Sequence, residues 1–181
     1  MAAVTGAGAA AAAADVAIRT LGPDDLAAYR MIRLRMLSEH PEAFSSDVAG
    51  FAARPDAEVA AGLAETADSF YLGAFDGGAL VGTVAFYRET RMKVRHKGHI
   101  VGMYVAVEAQ RRGLGRALLE EALRRVRAMD GVTQALLGVV ADNAPARALY
   151  ESLGFALFGT EPRAILVDGV AHDMEERVLF L

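Results

Sequence analysis

The sequence contains no cysteine and has no excess of basic residues, and each absence excludes a class of function. Without cysteine there can be no disulfide, thiolate zinc site, iron-sulfur cluster or cysteine nucleophile, and we expect a cytoplasmic protein. The 19 lysine and arginine residues are outnumbered by 23 acidic residues, which gives a net charge of −4. We therefore expect neither nucleic acid nor an anionic membrane as a partner.

Long apolar runs are also missing, since no stretch of about 18 strongly apolar residues occurs that could span a membrane. Residues 1–14 are almost all alanine and glycine, with no basic residue ahead of them. We expect this segment to be a flexible tail and not a signal peptide. A chain of 181 residues that is 54% hydrophobic can build a sizeable core, so we expect one domain over residues 15–181.

What is present is an alternation of strand and helix patterns. Strands are predicted over Val16 to Leu21, Phe70 to Phe75, Leu80 to Arg88, Gly98 to Val107, Thr133 to Val140, Phe155 to Gly159 and Met174 to Leu181. Helices are predicted over about Asp24 to Ser38, Asp56 to Glu65, Gly113 to Met129 and Asn143 to Leu153. This order predicts an α/β domain with a mixed, mostly antiparallel sheet flanked by helices.

A glycine-containing loop, Gln110-Arg111-Arg112-Gly113-Leu114-Gly115-Arg116, joins a predicted strand to the helix that follows it. Glycine lets the backbone approach a ligand closely, and the first N–H groups of a helix have no partner within the helix. Together with the helix dipole, these N–H groups favour a phosphate. The loop therefore predicts an anion site, although the two glycines could also do no more than relax a tight turn.

Two other phosphate-binding loops are excluded by particular residues. A dinucleotide fingerprint needs a third glycine where Leu118 stands, and a Walker A loop needs Gly-Lys followed by Ser or Thr, which is absent from the chain.

The pattern Gln-x-x-Gly-x-Gly is followed, one strand and one helix later, by Asn143, Tyr150 and the pair Gly154-Phe155. The two segments resemble consecutive motifs of the GNAT superfamily of acyl-CoA-dependent N-acyltransferases. The resemblance covers Gly98 to Phe155 and implies the GNAT fold. It also implies transfer of an acetyl group from acetyl-CoA to a primary amine, by direct attack in a ternary complex and without a metal. The acceptor would be a small-molecule or peptide amine.

The resemblance further implies a cofactor site. The backbone from Arg111 to Arg116 would hold the pyrophosphate, and the main chain from Met103 to Val107 would pair with the pantetheine arm. Met103 or Val105 would donate an N–H to the oxyanion. Asn143 would orient the cofactor, or would only cap its own helix. The expected cofactor-binding residues are Met103, Val105, Val107, Gln110, Arg111, Arg112, Gly113, Gly115, Arg116 and Asn143.

Tyr150 is implied as the general acid that protonates the coenzyme A thiolate, because a tyrosine pKa of about 10 is close to the value of about 8.5 for a cysteine-like thiol. Its alternative role is that of a core aromatic. His99 is expected as the general base, since histidine can accept a proton near neutral pH, with a surface hydrogen bond as the alternative.

Other functions and the oligomeric state stay open. A CoA-binding sensor or interaction module without turnover is one alternative, and an acyltransferase for a longer acyl-CoA is another. A homodimer is expected through an open edge at the apolar last strand.

Overall fold

A computed structural model of the chain describes residues 16–181 and contains a seven-stranded sheet. The strands are β1 (Val16–Thr20), β2 (Ser69–Asp76), β3 (Ala79–Arg88), β4 (Lys97–Val105), β5 (Gln134–Val140), β6 (Ala156–Val167) and β7 (Val170–Phe180). Their spatial order is β1-β2-β3-β4-β5-β7-β6, and only the β4–β5 pair is parallel. The predicted mixed, mostly antiparallel sheet is thereby confirmed. The tail predicted over residues 1–14 lies outside the described residues.

Five α-helices accompany the described part of the sheet. They are α1 (Leu26–Glu39), α2 (Val48–Ala52), α3 (Asp56–Leu63), α4 (Leu114–Arg127) and α5 (Ala144–Ser152). The predicted helices match α1, α3, α4 and α5, whereas α2 was not predicted because five residues are too few to show a helical period. No described helix is long and apolar enough to cross a membrane.

The helices lie on opposite faces of the sheet. On one face, Tyr29 of α1 contacts Tyr71 of β2 edge to face, with ring centroids 5.6 Å apart. On the other face, the guanidinium of Arg125 of α4 lies over the ring of Phe70, 4.4 Å from its centroid. Neighbouring residues of a strand point to opposite faces of the sheet, so Tyr71 lies on the face that α1 covers and Phe70 on the face that α4 covers.

The sequence of α4 explains its position. Six of its apolar residues recur at helical spacing and are buried: Leu114, Leu118, Leu119, Ala122, Leu123 and Val126. Three arginines in its last turn, Arg124, Arg125 and Arg127, lie near the negative end of the helix dipole. The helix is therefore fixed along its whole length against the sheet, which also fixes its N-terminus.

The last two strands differ from the prediction. Asp168 and Gly169 both have positive φ, 49° and 82°, and the tight turn they form folds β6 and β7 into a hairpin. β7 then lies between β5 and β6, so the prediction that the last strand is an open edge is wrong. The edge strand at this end of the sheet is β6, which also runs further than predicted, past the irregular pairing between Glu161 and Ile165.

Candidate active site

The sheet opens between its two parallel strands. β4 and β5 pair only from Lys97 to His99, opposite Gln134 to Leu136, although β4 continues to Val105 and β5 to Val140. Beyond His99, every second N–H and C=O of β4 points to this side and has no strand to pair with. The gap between the diverging strands is thus bordered by backbone hydrogen-bonding groups.

A β-bulge at Gly102 reshapes β4 along this gap. Pairing with β3 shifts register between Thr83 and Ala85, and Gly102 has a φ of +61°, which glycine adopts without strain. The hydroxyl of Thr83 donates to the carbonyl of Gly102 at 2.9 Å and holds the bulge. After the bulge, Met103 faces α4 while Tyr104 faces α1, where its hydroxyl donates to Glu39 at 2.6 Å.

A cleft of about 1230 Å³ passes through the sheet at the gap, and a pocket for one small molecule usually measures about 300 to 1,000 Å³. On the α4 face its lining includes Met103, Val105, Gly113, Leu114, Gly115, Asn143, Ala146, Leu149 and Tyr150. On the α1 face its lining includes Tyr29, Arg33, Phe44, Phe51, Tyr71, Glu161, Met174 and Glu176. The cleft has room for two molecules that meet at the gap.

The predicted anion loop forms one end of this cleft. The backbone N–H groups from Arg111 to Arg116 have no hydrogen-bond acceptor among the described residues, and the first bond into α4 runs from Ala117 N to the carbonyl of Gly113. Gly113 caps the helix with a φ of +79° and offers no side-chain acceptor. The donors that a side chain commonly satisfies at a helix start are therefore open to a ligand.

Two of the predicted side chains at this loop are engaged within the protein. The amide nitrogen of Gln110 donates to the carbonyl of Val105 at 3.0 Å, and Arg112 forms an ion pair with Asp76. Neither Arg112 nor the exposed Val107 lines the cleft. Both were predicted for their backbone groups, and the direction in which their side chains point does not bear on that prediction.

The loop and α5 are tied together beside the cleft. Asn143 caps α5 by accepting from Ala146 N at 3.1 Å, so its side-chain oxygen is used while its amide N–H groups stay available. Arg116 donates to the hydroxyl of Ser152 at 2.6 Å. Asn143 therefore has the capping role, and its geometry is compatible with a ligand contact as well.

Tyr150 is buried and yet reaches the cleft. It is 6% exposed, and its ring meets Phe155 edge to face at 6.1 Å. Its hydroxyl has no hydrogen-bond partner among the described residues. It is nevertheless not fully buried, because Asp76 Oδ1 is the only fully buried side-chain polar atom of the described residues that lacks a partner. The hydroxyl therefore keeps access to the cleft. Burial raises the pKa of Tyr150 to about 12, so the phenol is protonated at neutral pH.

The structure does not bring His99 into this cleft. Its ring stacks on Tyr87 with centroids 4.9 Å apart, and Nε2 lies 3.0 Å from Oε1 of Glu89. It lines a smaller neighbouring pocket, at the closed end of the gap where β4 and β5 still pair. Its place near the start of β4 agrees with the prediction, whereas the point at which the two strands separate was not visible in the sequence.

Two carboxylates in the cleft were missed from the sequence. Glu176 of β7 pairs with Gly138 of β5, and its Oε1 would lie 3.4 Å from a Cβ placed on that glycine. Burial raises the pKa of Glu176, the nearby Glu161 raises it further, and His99 opposes both effects. Neither carboxylate belongs to a motif, and the only signal in the sequence was a glycine in the middle of a buried strand.

The described residues contain no group of three or more His, Asp or Glu side chains placed to hold a metal ion.

A comparison with protein families gives this geometry a context. The model of the "Acetyltransferase (GNAT) family" matches residues 32–155, which contain the bulge, the anion loop and α5. The chain belongs to this family. The resemblance seen in the sequence is thereby confirmed, and acetyl-CoA is the acyl donor that the family uses.

Two relatives of assigned function are similar in sequence. The mycothiol acetyltransferase of Saccharomonospora viridis is 34% identical over 151 residues, which make up 81% of this chain and 47% of that protein. The N-alpha-acetyltransferase RimI of Mycobacterium tuberculosis is 40% identical over 100 residues, 55% of this chain and 60% of that protein. The chain thus spans about half the length of these relatives.

Solved structures agree with the fold. A GNAT-family acetyltransferase from Streptococcus pneumoniae superposes with a TM-score of 0.84 at 26% identity, covering 92% of this chain and all of that one. A Salmonella typhimurium protein, solved with its cofactor acetyl-CoA, superposes with a TM-score of 0.80 at 23% identity, covering 92% and 94% of the two chains. The predicted GNAT fold is confirmed.

Proposed function

We propose that the chain is an N-acetyltransferase that moves the acetyl group of acetyl-CoA to a primary amine, by direct attack in a ternary complex. The observation that carries the proposal is the single cleft in which the gap between β4 and β5 lies next to the six open N–H groups from Arg111 to Arg116. A long flexible cofactor with a phosphate group partway along needs both features, a slot and an anion site.

The residues fit such a cofactor. The N–H groups at the start of α4 would bind the pyrophosphate, and Gly113 adopts without strain the positive φ with which the helix begins. Arg111, whose side chain forms no ion pair with the described residues, would add a charge there. Gln110, Arg112 and Arg116 would contribute through the loop conformation and backbone, because their side chains are engaged elsewhere. Gly115 would contribute an N–H, and Asn143 its amide.

The free edge of β4 would hold the pantetheine arm as an added strand, from Met103 and Val105 towards Val107. When bound, acetyl-CoA supplies an activated acetyl thioester whose thiolate is the leaving group. The N–H of Met103 or Val105 would donate to the thioester carbonyl oxygen as negative charge develops on it.

Tyr150 would donate the proton that the leaving thiolate needs. Its pKa of about 12 lies further above the pKa of a free thiol than the ordinary tyrosine pKa does. Proton transfer from Tyr150 to a fully hydrated thiolate would therefore be uphill. The same burial disfavours the charged thiolate and raises its pKa as well. A neutral phenol with no competing partner is therefore a suitable donor in this cleft.

Two groups are candidates for taking the proton from the acceptor's ammonium. His99, the base expected from the sequence, is held by Glu89 beside the cleft and would act through water. Glu176 lines the cleft itself, and its raised pKa makes it a stronger base than an ordinary carboxylate. The His99→Asn and Glu176→Gln variants separate these roles. Only the variant that lacks the base should shift the acidic limb of the plot of kcat/KM against pH.

The test is release of free thiol from acetyl-CoA in the presence of amino acids, polyamines, peptides and amino sugars. Turnover with any primary amine, with an amide product seen by mass spectrometry, supports the proposal. Binding of coenzyme A without thiol release from any acceptor would indicate a sensor or interaction module instead. Faster turnover with a longer acyl-CoA would indicate that the chain transfers that longer acyl group and not acetyl.

A homodimer is proposed through β6 instead of the last strand. β6 is an edge strand of the sheet, and its exposed Leu157 and Phe158 are 50% and 57% accessible. Sedimentation velocity should give about twice the chain mass, and Leu157→Lys should return the chain to a monomer.

A further inference from the structure

One half-buried arginine in the cleft has no ionic partner among the described residues. Arg33 of α1 lines the α1 side of the cleft and is half-buried. Within residues 16–181, every other arginine that is not exposed has a carboxylate within 4.0 Å: Arg30, Arg35, Arg88, Arg95, Arg125, Arg147 and Arg177. The hydrogen bond that the Arg33 side chain does make is to the sulfur of Met36, at 3.7 Å. A thioether is a weak acceptor, so the guanidinium retains unused donors.

The surroundings of Arg33 make an anion strongly favourable there. Its guanidinium lies 5.2 Å from the ring centroid of Phe44 and 5.9 Å from that of Phe51. Burial lowers the pKa of Arg33, and the positive charge of Arg54 lowers it further, whereas the neighbouring tyrosines raise it. No carboxylate of the described chain compensates the charge. A charged group that is partly withdrawn from water without a partner is unfavourable, and a planar guanidinium pairs best with a carboxylate through two parallel hydrogen bonds.

The other wall of the same side of the cleft carries the opposite charge. Glu176 lies over Gly138 at the gap, and Glu161 is near enough to raise its pKa. Both line the cleft together with Arg33. An acceptor that spans this side therefore meets a cation at the α1 wall and carboxylates beside the gap.

Resting on the proposed function, we propose that the acceptor is a free amino acid or a close analogue, with its carboxylate bound by Arg33 and its amino group at the gap beside Glu176. A carbon-nitrogen bond forms and the carbon-sulfur bond of the thioester breaks. Of the two protons that the ammonium loses, one passes through the base to solvent and the other balances the proton gained by the thiolate. The products are an N-acetyl amino acid and coenzyme A. A peptide N-terminus has an amide where the amino acid has its carboxylate, and leaves Arg33 unpaired.

The first experiment compares each of the common amino acids with its primary amide, which keeps the amine and removes only the negative charge. With wild-type chain and acetyl-CoA, kcat/KM for the preferred free acid should exceed that for its amide by roughly 10- to 100-fold, mostly through KM, as expected for a hydrogen bond between charged groups. Peptides that begin with the same residue should behave like the amide.

The second experiment repeats this comparison in two variants of Arg33 and one control variant, all in α1. Arg33→Met keeps the bulk of the side chain and should abolish the preference for the free acid, while Arg33→Lys should keep part of it. Arg30→Met is the matched control. Arg30 also lies near Phe51, at 5.5 Å, but it pairs with Asp56 at 3.3 Å and is not among the residues that line the cleft. Its removal should leave the ratio of acid to amide unchanged.

The outcomes separate the two proposals. Turnover of amides or peptides as fast as free acids, or an unchanged ratio in Arg33→Met, would overturn this inference and leave the N-acetyltransferase activity standing. No thiol release with any amine would overturn both. If Arg33→Met does not fold, the wild-type comparison and Arg33→Lys still decide the matter.

Discussion

Arg177 of β7 and Glu151 of α5 join the sheet to the helix that carries Tyr150, with Nη2 donating to Oε1 at 2.8 Å. The same nitrogen donates to Glu175 at 2.5 Å, and Arg177 is only 2% exposed. Glu175 is also held by Arg147 of α5, at 3.0 Å. Two arginines and two carboxylates thus fix α5 on β7, and with it the position of the Tyr150 hydroxyl in the cleft.

Arg177→Met should destabilise the chain by about 3 kcal/mol, because buried Glu175 then keeps only one of its two arginine partners, Arg147. Urea unfolding followed by circular dichroism measures the loss. The double variant Arg177→Met with Glu175→Gln should recover part of it, since no buried charge is then left without a partner. A loss below about 1 kcal/mol in the single variant would mean that the pair contributes no more than a surface ion pair.

Tyr150→Phe should lower kcat by about 100- to 1,000-fold, as expected for loss of a general acid. The hydroxyl makes no hydrogen bond to the described residues, so the free energy of unfolding should change by less than about 0.5 kcal/mol. The dissociation constant for acetyl-CoA should also stay the same. As a comparison, Tyr104→Phe removes a hydroxyl bonded to Glu39 and should cost about 1 kcal/mol of stability. An unchanged kcat in Tyr150→Phe would remove Tyr150 from the mechanism.

Gly113→Ala should weaken acetyl-CoA binding and lower stability by about 1 to 2 kcal/mol, because the φ of +79° strains any residue with a Cβ. Gly62→Ala is the matched control. Gly62 lies within α3, where an added Cβ would have no neighbouring atom within 4 Å. This variant should gain stability by up to about 1 kcal/mol without any change in binding. Titration calorimetry and thermal unfolding of both variants check this. Equal affinity in Gly113→Ala would place the pyrophosphate elsewhere.

Glu176→Gln should become more stable than the wild type as the pH rises. Burial and Glu161 raise the pKa of Glu176 above its ordinary 4.5, so ionisation costs more in the folded chain than in the unfolded one. The contribution of this group to stability is complete below pH 4.5 and is lost as the pH rises through the raised pKa. The difference in unfolding free energy between variant and wild type should therefore grow across that range and then level off. A difference that is independent of pH would contradict the raised pKa.

Local patterns of the sequence predicted most of the fold. The helical spacing from Leu114 to Val126, the two glycines at residues 77 and 78 and the alternation of the first strand all agree with the structure because each depends on neighbouring residues alone. The turn from β4 into α4 was predictable for the same reason, since its glycines and the helix start are adjacent in the chain; binding of an anion there stays a prediction.

The acceptor side was not predictable, because its residues come together only in the folded sheet. Arg33 and Glu176 are far apart in the sequence and share one cleft only through the order of the strands. His99 lies outside that cleft because β4 and β5 separate just beyond it, and strand divergence leaves no local pattern. The position of β6 at an edge of the sheet likewise depends on how the last hairpin docks on β5.

Titration calorimetry with acetyl-CoA is the decisive measurement, since every proposed role depends on the gap and the anion loop holding this donor. We expect one molecule to bind per chain and, at 100 times the dissociation constant, to raise the free energy of unfolding by about 2.7 kcal/mol. Coenzyme A should bind at the same site and compete. No heat and no stabilisation with either compound would contradict the proposed donor site and every role that depends on it.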